Sequence, residues 1–239
     1  MAGVVTSVLG VDGCRAGWVG ALLRGGSYDV LVAADIASLV DAARQEEPGL
    51  AVVGVDIPIG LPDDRARQAD RLARARLPLG RKSSVFPTPA RAAVSAGSWP
   101  RHATHRAVSR VNREALGSGL SIQAFNLIPK ILDVDVYVRK GAPVTVLEVH
   151  PELSLAQIDP TCVVPSKAGP LGRSARKRAL RSVGPDTPAY VRGEGYEPDD
   201  LLDACAVAWT AARYAAGTAY SLPDPPEVFS DGIPAAIWV

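Results

Sequence analysis

Cysteine is scarce in this sequence: 239 residues hold three, Cys14, Cys162 and Cys205, widely spaced and without a C-x-x-C pair. An odd, scattered set of that kind points to neither a disulfide framework nor a zinc cluster, and it fits a reducing, cytoplasmic setting. Aromatic residues make up only 5% of the chain, and much of the apolar content is Ala, Val and Leu. No uninterrupted apolar stretch approaches the roughly 18 residues that a membrane span needs. The opening residues lack the basic region of a signal peptide; they read as a strand that runs into the polar turn Asp12-Gly13-Cys14-Arg15. Net charge is only +1, so total charge excludes no class of partner and only its distribution informs. Neither an internal repeat nor a low-complexity segment occurs.

What is present is an ordinary globular composition, 47% hydrophobic and 21% charged, in a chain long enough for one well-cored domain over residues 1–239 with a large insertion. Residues 4–11 form a β-branched, apolar run stopped by Asp12-Gly13. Residues 18–23 and 28–33 continue the strand pattern around Gly25-Gly26. Three strands on short turns make an antiparallel meander. A helix over residues 38–46 follows, then a continuous apolar strand over 50–55 that runs into Asp56-Ile57-Pro58. The order β-β-β-α-β implies a mixed α/β sheet and excludes a dinucleotide-binding fold, which would open β-α-β on a glycine-rich turn. The strands at 4–11 and 50–55 are expected to pair in parallel.

Residues 63–140 read as a helical insertion, with helices at 63–76, 102–116 and 122–138, the last bent or interrupted near Pro129. A strand at 144–149, helices at 152–158 and 173–183, and a long helix from Pro198 to about residue 216 complete the pattern. The tail after Pro223 is proline-rich and is expected to wrap the surface.

Acids fall where apolar elements end. Asp12 closes the first strand, Asp56 closes the fourth, Glu148 interrupts the run Val146-Leu147-Glu148-Val149, and Asp200 and Asp203 share one face of the last long helix. A buried carboxylate persists only when it is paired, hydrogen-bonded or metal-bound, and an oxygen cluster of this kind suits Mg²⁺ or Mn²⁺. Taken singly, each acid also has a plain structural explanation. Asp12-Gly13 is a common turn dipeptide, Asp56 could cap a neighbouring helix, Glu148 could pair with an arginine of the insertion, and Asp200 serves as a helix-start acid. Their joint placement at the same strand ends carries the case for a site.

Five separated motifs occur in order: Gly10-Val11-Asp12-Gly13-Cys14-Arg15-Ala16-Gly17-Trp18, Val55-Asp56-Ile57-Pro58-Ile59-Gly60-Leu61-Pro62, Arg81-Lys82-Ser83-Ser84-Val85-Phe86-Pro87, Glu148-Val149-His150-Pro151-Glu152 and Asp199-Asp200-Leu201-Leu202-Asp203-Ala204. In these the chain closely resembles the domain-of-unknown-function family 429, a group of predicted nucleases with a ribonuclease H-like fold. The resemblance spans about residues 8–217. It implies a mixed five-stranded sheet with helices on both faces and the insertion after strand four. It also implies acids at the end of strand one (Asp12), on strand four (Asp56) and on the last helix (Asp200 or Asp203). Glu148 is an addition to that set, expected on a fifth strand beside the first.

Charge distribution adds a second signal. Between residues 65 and 113 the only acid is Asp70 among a dozen basic residues, and residues 167–181 carry six basic residues and no acid. A basic rim around an acidic pocket suits a phosphate-bearing substrate; arginine-rich helices also serve simply as solvated faces. Arg81, Lys82, Ser83 and Ser84 offer donors for a phosphate, or form a hinge fixed by serine caps. His150 could ligate metal or shuttle a proton, or mark a strand's end.

The expectation is thus a metal-dependent nuclease or phosphodiesterase acting on nucleic acid or a nucleotide, with Asp12, Asp56, Glu148 and Asp203 or Asp200 around one or two Mg²⁺ or Mn²⁺ ions. Arg81, Lys82, Ser83, Ser84 and His150 would contact substrate. The alternatives are a non-catalytic nucleic-acid or protein-binding module, or phosphoryl transfer of the actin-like kinase type. The arginines of residues 65–76 are expected to face the carboxylates, and the loop 81–84 to lie closest to them.

Overall fold

The apolar run at the start of the chain forms β1 (Val8–Cys14), which turns back into β2 (Gly17–Arg24) and β3 (Ser27–Ala33) as an antiparallel meander. Gly25 and Gly26 both hold positive φ, 54° and 80°, the backbone that a two-residue hairpin requires. The computed structural model describes residues 7–97, 104–167, 169–188 and 193–239. The expected strand start at residue 4 and helix start at residue 102 lie outside them.

Asp35 caps α1 (Ile36–Glu46), its carboxylate accepting the Ser38 N–H at 2.8 Å. β4 (Val52–Val55) then pairs with β1 in parallel, in register Val8↔Val52 to Val11↔Val55. This is the expected pairing. Among the described residues, four helices follow before the sheet resumes: α2 (Gln68–Arg76), α3 (Arg91–Gly97), α4 (His105–Leu116) and α5 (Ile122–Arg139), with a 3-10 turn over Leu79–Ser84 between the first two. α3 falls in a stretch without a strong sequence signal. Pro129 does not interrupt α5; the helix continues through it, held by buried Ile128, Ile131 and Val134. Then come β5 (Thr145–Val149), α6 (Pro151–Ile158), α7 (Pro170–Val183), α8 (Pro198–Ala215), β6 (Ser221–Val228) and β7 (Pro234–Trp238).

Among the described residues the strands make one mixed sheet of seven, ordered β3-β2-β1-β4-β5-β7-β6. Two expectations are corrected here. The tail does not wrap the surface but adds two strands, beyond the expected five. Its prolines concealed them, yet β6 is an edge strand, where missing N–H donors cost little. β5 lies beside β4, not β1, so Glu148 enters two strands away from Asp12.

Helices cover both faces. Leu9, Val11, Val53 and Val55 point toward α1 and α5, in one cluster with Ile36, Leu39 and Ile131. Val8, Val52 and Val149 point the other way, against Val207, Ala208 and Ala211 of α8. α8 lies unusually close to the sheet. A Cβ added at Gly10 would stand 2.1 Å from the Ala204 carbonyl oxygen and 2.2 Å from the Ala208 nitrogen, and one at Gly54 2.8 Å from Val207 Cγ1. Glycine in two neighbouring strands thus seats an alanine-lined helix face directly on the backbone.

Gly10→Ala must therefore push α8 off β1. It is expected to cost about 3 kcal/mol, at the upper end of overpacking penalties, read as a shift in the denaturant midpoint. A midpoint equal to wild type would show that the helix is not seated this way.

Candidate active site

The close seat of α8 carries its first turns to the end of β1. There a cavity of about 360 Å³ opens at the C-terminal ends of β1, β4 and β5, and Asp12, Asp56, Glu148, His150, Asp200 and Asp203 all border it. Asp12 is half-buried near the end of β1, its carboxylate accepting the Gly13 N–H at 2.7 Å. Asp56 directly follows β4, and its N–H extends the ladder to the Val11 carbonyl at 3.0 Å. The two acids therefore stand at the ends of paired parallel strands. Among the described residues no hydrogen-bond donor reaches the Asp56 side chain.

Electrostatics mark the crowding. Burial, then the Asp56 and Asp203 charges, push Asp12 well above the ordinary carboxylate range, with Lys167 opposing. Asp56 is pushed up to about 6, chiefly by burial; His150 lowers it and Asp203 raises it. Asp203 is 2% exposed and pairs with the Lys167 ammonium at 2.7 Å. Burial works against that ammonium, but Asp203, Asp12 and Asp56 outweigh it and hold Lys167 above its ordinary range. Asp200 is committed elsewhere: it accepts the Glu197 N–H at 2.9 Å and caps α8. Of the two helix acids, Asp203 is the one turned into the cluster.

Glu148 borders the cavity but both its oxygens are taken. Oε1 accepts from Arg67 at 2.7 Å and Oε2 from the Ile59 N–H at 2.8 Å. Arg67 is 1% exposed; it also donates to the Ile59 carbonyl and lies 3.1 Å from Asp70, which receives Thr88. Burial pushes Glu148 upward and Arg67 opposes that push. This network ties the turn after Asp56 to β5, so Glu148 braces the site.

The insertion borders the cavity through Asp70 of α2, the stretch from Arg81 to Thr88 and α5, but its arginines do other work. Arg67 faces inward to Glu148. Arg65 stacks over Phe229 and Arg76 over Tyr220. Neither these two nor Arg71 and Arg74 line the cavity, so the expected grip by residues 65–76 is corrected to a structural role. Arg81 and Ser84 do line it, whereas Lys82 and Ser83 do not. Arg81 spends its guanidinium on the Val163 and Val164 carbonyls, at 2.7 and 3.0 Å, and Ser84 caps Arg81 at 2.8 Å.

Two residues given no role from the sequence, Lys130 and Glu152, stand at the site, together with Lys167, which sat in a basic run that reads either as a rim for phosphate or as a solvated face. Lys130 lies on α5, reaches the Gly17 carbonyl and stands 4.4 Å over the Trp18 ring; Asp133, one turn on, fixes α5 by accepting Trp18 Nε1–H and the Ile36 N–H. Glu152 opens the helix expected over residues 152–158. It is 5% exposed, gives Oε1 to Arg176 at 2.7 Å and leaves buried Oε2 without a partner among the described residues. His150 Nδ1 is likewise buried and unpartnered. Among the described residues, no three His, Cys, Asp or Glu side chains already stand in metal-ligand geometry. The three cysteines are buried and free.

A family model described as "Protein of unknown function (DUF429)" matches residues 10–228. No curated protein and no solved structure matches the chain.

Two outcomes follow from this geometry. Glu148→Leu strands Arg67 as a buried unpaired cation and is expected to cost about 3–5 kcal/mol; Arg67→Met/Glu148→Leu should recover part of it in denaturant melts. A single variant as stable as wild type would mean that the pair does not brace the turn. Asp56 titrates near 6 when folded, against 3.8 ordinarily. Its protonated form favours the fold below about pH 4, and that contribution is lost as pH rises through about 6. Asp56→Asn should therefore gain stability relative to wild type between pH 4 and 7; a pH-independent difference would show that Asp56 titrates normally.

Proposed function

For a chain that belongs to the DUF429 family of proteins of unknown function, we propose a metal-dependent phosphodiesterase on a ribonuclease H-like fold, acting on nucleic acid or a nucleotide. The observation that carries it is the meeting of Asp12, Asp56 and Asp203 in one cavity at adjoining strand ends. The antiparallel β1–β3 meander, the parallel β4 and β5, and the last long helix on the sheet support the fold reading, with β7 and β6 added at one edge.

The donor set fits a hard cation: the acids offer only oxygen, and Asp12 and Asp56 have no ion pair among the described residues. Asp12, Asp56 and Asp203 would hold Mg²⁺ or Mn²⁺. When bound, such an ion supplies an activated water and stabilises charge on the leaving oxygen. Three separate ligands need not be preassembled, because Mg²⁺ is commonly held by one or two carboxylates with its remaining waters.

The chain's own residues supply the rest. Lys130 and Lys167 put positive charge on the cavity wall, where a phosphate needs it. Lys167 exchanges its Asp203 oxygen for a phosphate oxygen without leaving the loop that bears it. His150 can take or give a proton at Nδ1. Arg81, bound to Val163 and Val164, keeps the loop before Lys167 against the cavity.

Millimolar Mn²⁺ or Mg²⁺ should raise the melting temperature, by the equivalent of about 2.7 kcal/mol at a hundredfold excess over Kd, and should support cleavage within a panel of single- and double-stranded nucleic acids and bis(p-nitrophenyl) phosphate. Asp12→Asn should lose both effects and melt no lower than wild type without metal, since it removes repulsion at constant shape. No metal-dependent shift in the wild type would overturn the proposal. An equal shift in Asp12→Asn would move the ion away from this cavity.

A further inference from the structure

The cavity at the strand ends has lining of two kinds, and the acids are only one of them. α5 runs along it, and Gln123, Leu127 and Lys130 line it at intervals of four and three residues, so one stripe of the helix faces in. Lys130 marks the acid end of that stripe. Its stem crosses the backbone at Gly13, where an added Cβ would stand 2.9 Å from Lys130 Cδ and Cε, and Gly13 directly follows Asp12. Leu127 is about one turn from Lys130 and Gln123 about two, roughly 10 Å along the axis at 1.5 Å per residue. Phe86, from the segment after the 3-10 turn, lines the same cavity. Phe86 and Leu127 both pack against the core between α1, α5 and the sheet, yet both are only partly buried.

The polar groups sharpen the contrast. Ser84, Thr88 and Gln123 are the uncharged polar side chains at the cavity among the described residues. Ser84 donates to the Arg81 carbonyl at 2.8 Å and Thr88 to Asp70 at 3.1 Å. Gln123 is exposed, and no hydrogen bond engages its amide among the described residues. The cavity thus offers cations and acids at one place, and an aromatic and an aliphatic side chain with a free amide at another.

A ligand that uses both kinds of lining has an anionic group, a flat apolar body and a polar edge. A sugar phosphate would leave Phe86 and Leu127 without a partner, and an alkyl phosphate would leave Gln123 without one. A nucleobase fits: its faces stack on aromatic side chains, and its edge carries donors and acceptors side by side, as a glutamine amide does. About 360 Å³ lies near the lower end of small-ligand pockets. That is room for one nucleotide and not for a paired duplex, whose base edges are in any case already engaged.

We infer that the cavity binds one unpaired nucleotide, with its base against Phe86 and Leu127, Gln123 on the base's hydrogen-bonding edge and its phosphate at Lys130. The inference rests on the phosphodiesterase reading above and deepens it: the substrate is a single strand, an extruded nucleotide or a free nucleotide. Lys130 is held in place by the Gly17 carbonyl and the Trp18 ring, and its ammonium keeps two further N–H donors for the phosphate. Gln123 is a specificity residue: its amide decides between base edges, so its loss relaxes the choice of base more than it weakens binding.

The test is calorimetric titration of the full chain, in millimolar Mg²⁺, with the common nucleoside 5′-monophosphates and with ribose 5-phosphate as the control without a base. The best monophosphate should bind about five- to a hundredfold more tightly than ribose 5-phosphate, the range of base–aromatic stacking. Phe86→Ala should remove most of that preference and leave ribose 5-phosphate binding unchanged; should it not fold, Phe86→Leu keeps the apolar volume without the ring and is read in the same way. Gln123→Ala should narrow the spread among the bases. A single-stranded oligonucleotide should compete with the best monophosphate, and its duplex should not. Four results would each overturn the inference: no monophosphate binding, equal affinity for ribose 5-phosphate, a preference untouched by both substitutions, or a duplex that competes as well as its single strand. Base preference without Mg²⁺-dependent cleavage would instead remove the phosphodiesterase reading and leave the base subsite standing.

Discussion

The bare backbone at Gly10 is the constraint on which the rest of the structure depends. The Ala204 carbonyl and the Ala208 amide occupy the space where a side chain at position 10 would stand. A helix that rests on a strand's backbone has almost no freedom to slide, because interiors are close-packed and sub-ångström changes are felt. One turn toward its N-terminus, the same helix delivers Asp203 to the neighbourhood of Asp12. Those acids do not attract one another. Packing brings them together against their repulsion, and the upward pressure on Asp12 and Asp56 is the electrostatic record of it.

Charge gathered by packing has to be met, and the chain meets it unequally. Glu148 has a guanidinium and a backbone amide. Asp203 has an ammonium. Glu152 has a guanidinium on one oxygen and, among the described residues, no partner on the other. Asp12 has a single backbone N–H, and the Asp56 side chain has no donor among the described residues. A buried ionised group left unpaired costs several kcal/mol in practice, so this gradient is not neutral for stability. It runs from a satisfied brace beside α2 to an unsatisfied wall beside α6.

How much of this was legible in the sequence depends on whether a residue's role was local. The meander, the parallel pairing of β1 with β4 and the acids at strand ends could be read, because period-2 apolar runs and turn dipeptides act over a few residues. Asp12 and Asp56 were singled out for that reason, whereas the choice between Asp200 and Asp203 on the last helix stayed open until the structure placed Asp200 in the helix cap and Asp203 against Lys167. The partner of Glu148 was raised only as an arginine somewhere in the insertion; its identity, Arg67, comes from a contact across 81 residues that no local pattern encodes. Glu152 was hidden by a rule that usually holds, since an acid behind an N1 proline ordinarily serves the helix start. Lys167 was hidden inside a basic run whose other members lie on α7. The edge strand β6 was hidden by its prolines, which rule out a central strand but not an outer one, and β7, between β5 and β6, begins on Pro234.

The arginine excess between residues 65 and 113 takes its meaning from the same contacts. Arg67 is buried against Glu148, Arg91 bridges Asp135 and Asp231, and Arg81 holds two carbonyls of the loop at Val163 and Val164. A planar fork of fixed donors suits tasks of that kind, where several acceptors must be held at once. The cations that border the acids are mainly lysines, Lys130 and Lys167. An ammonium on a four-carbon stem is a point charge that can change partners at small cost, and Lys167 is still 47% exposed while paired to a buried aspartate. Arg81 from one side and Arg176 from the other fix residues 163–165, immediately before it. The loop is thus anchored by arginines and tipped with a lysine, which keeps its backbone in place while the ammonium that it presents to Asp203 stays partly exposed.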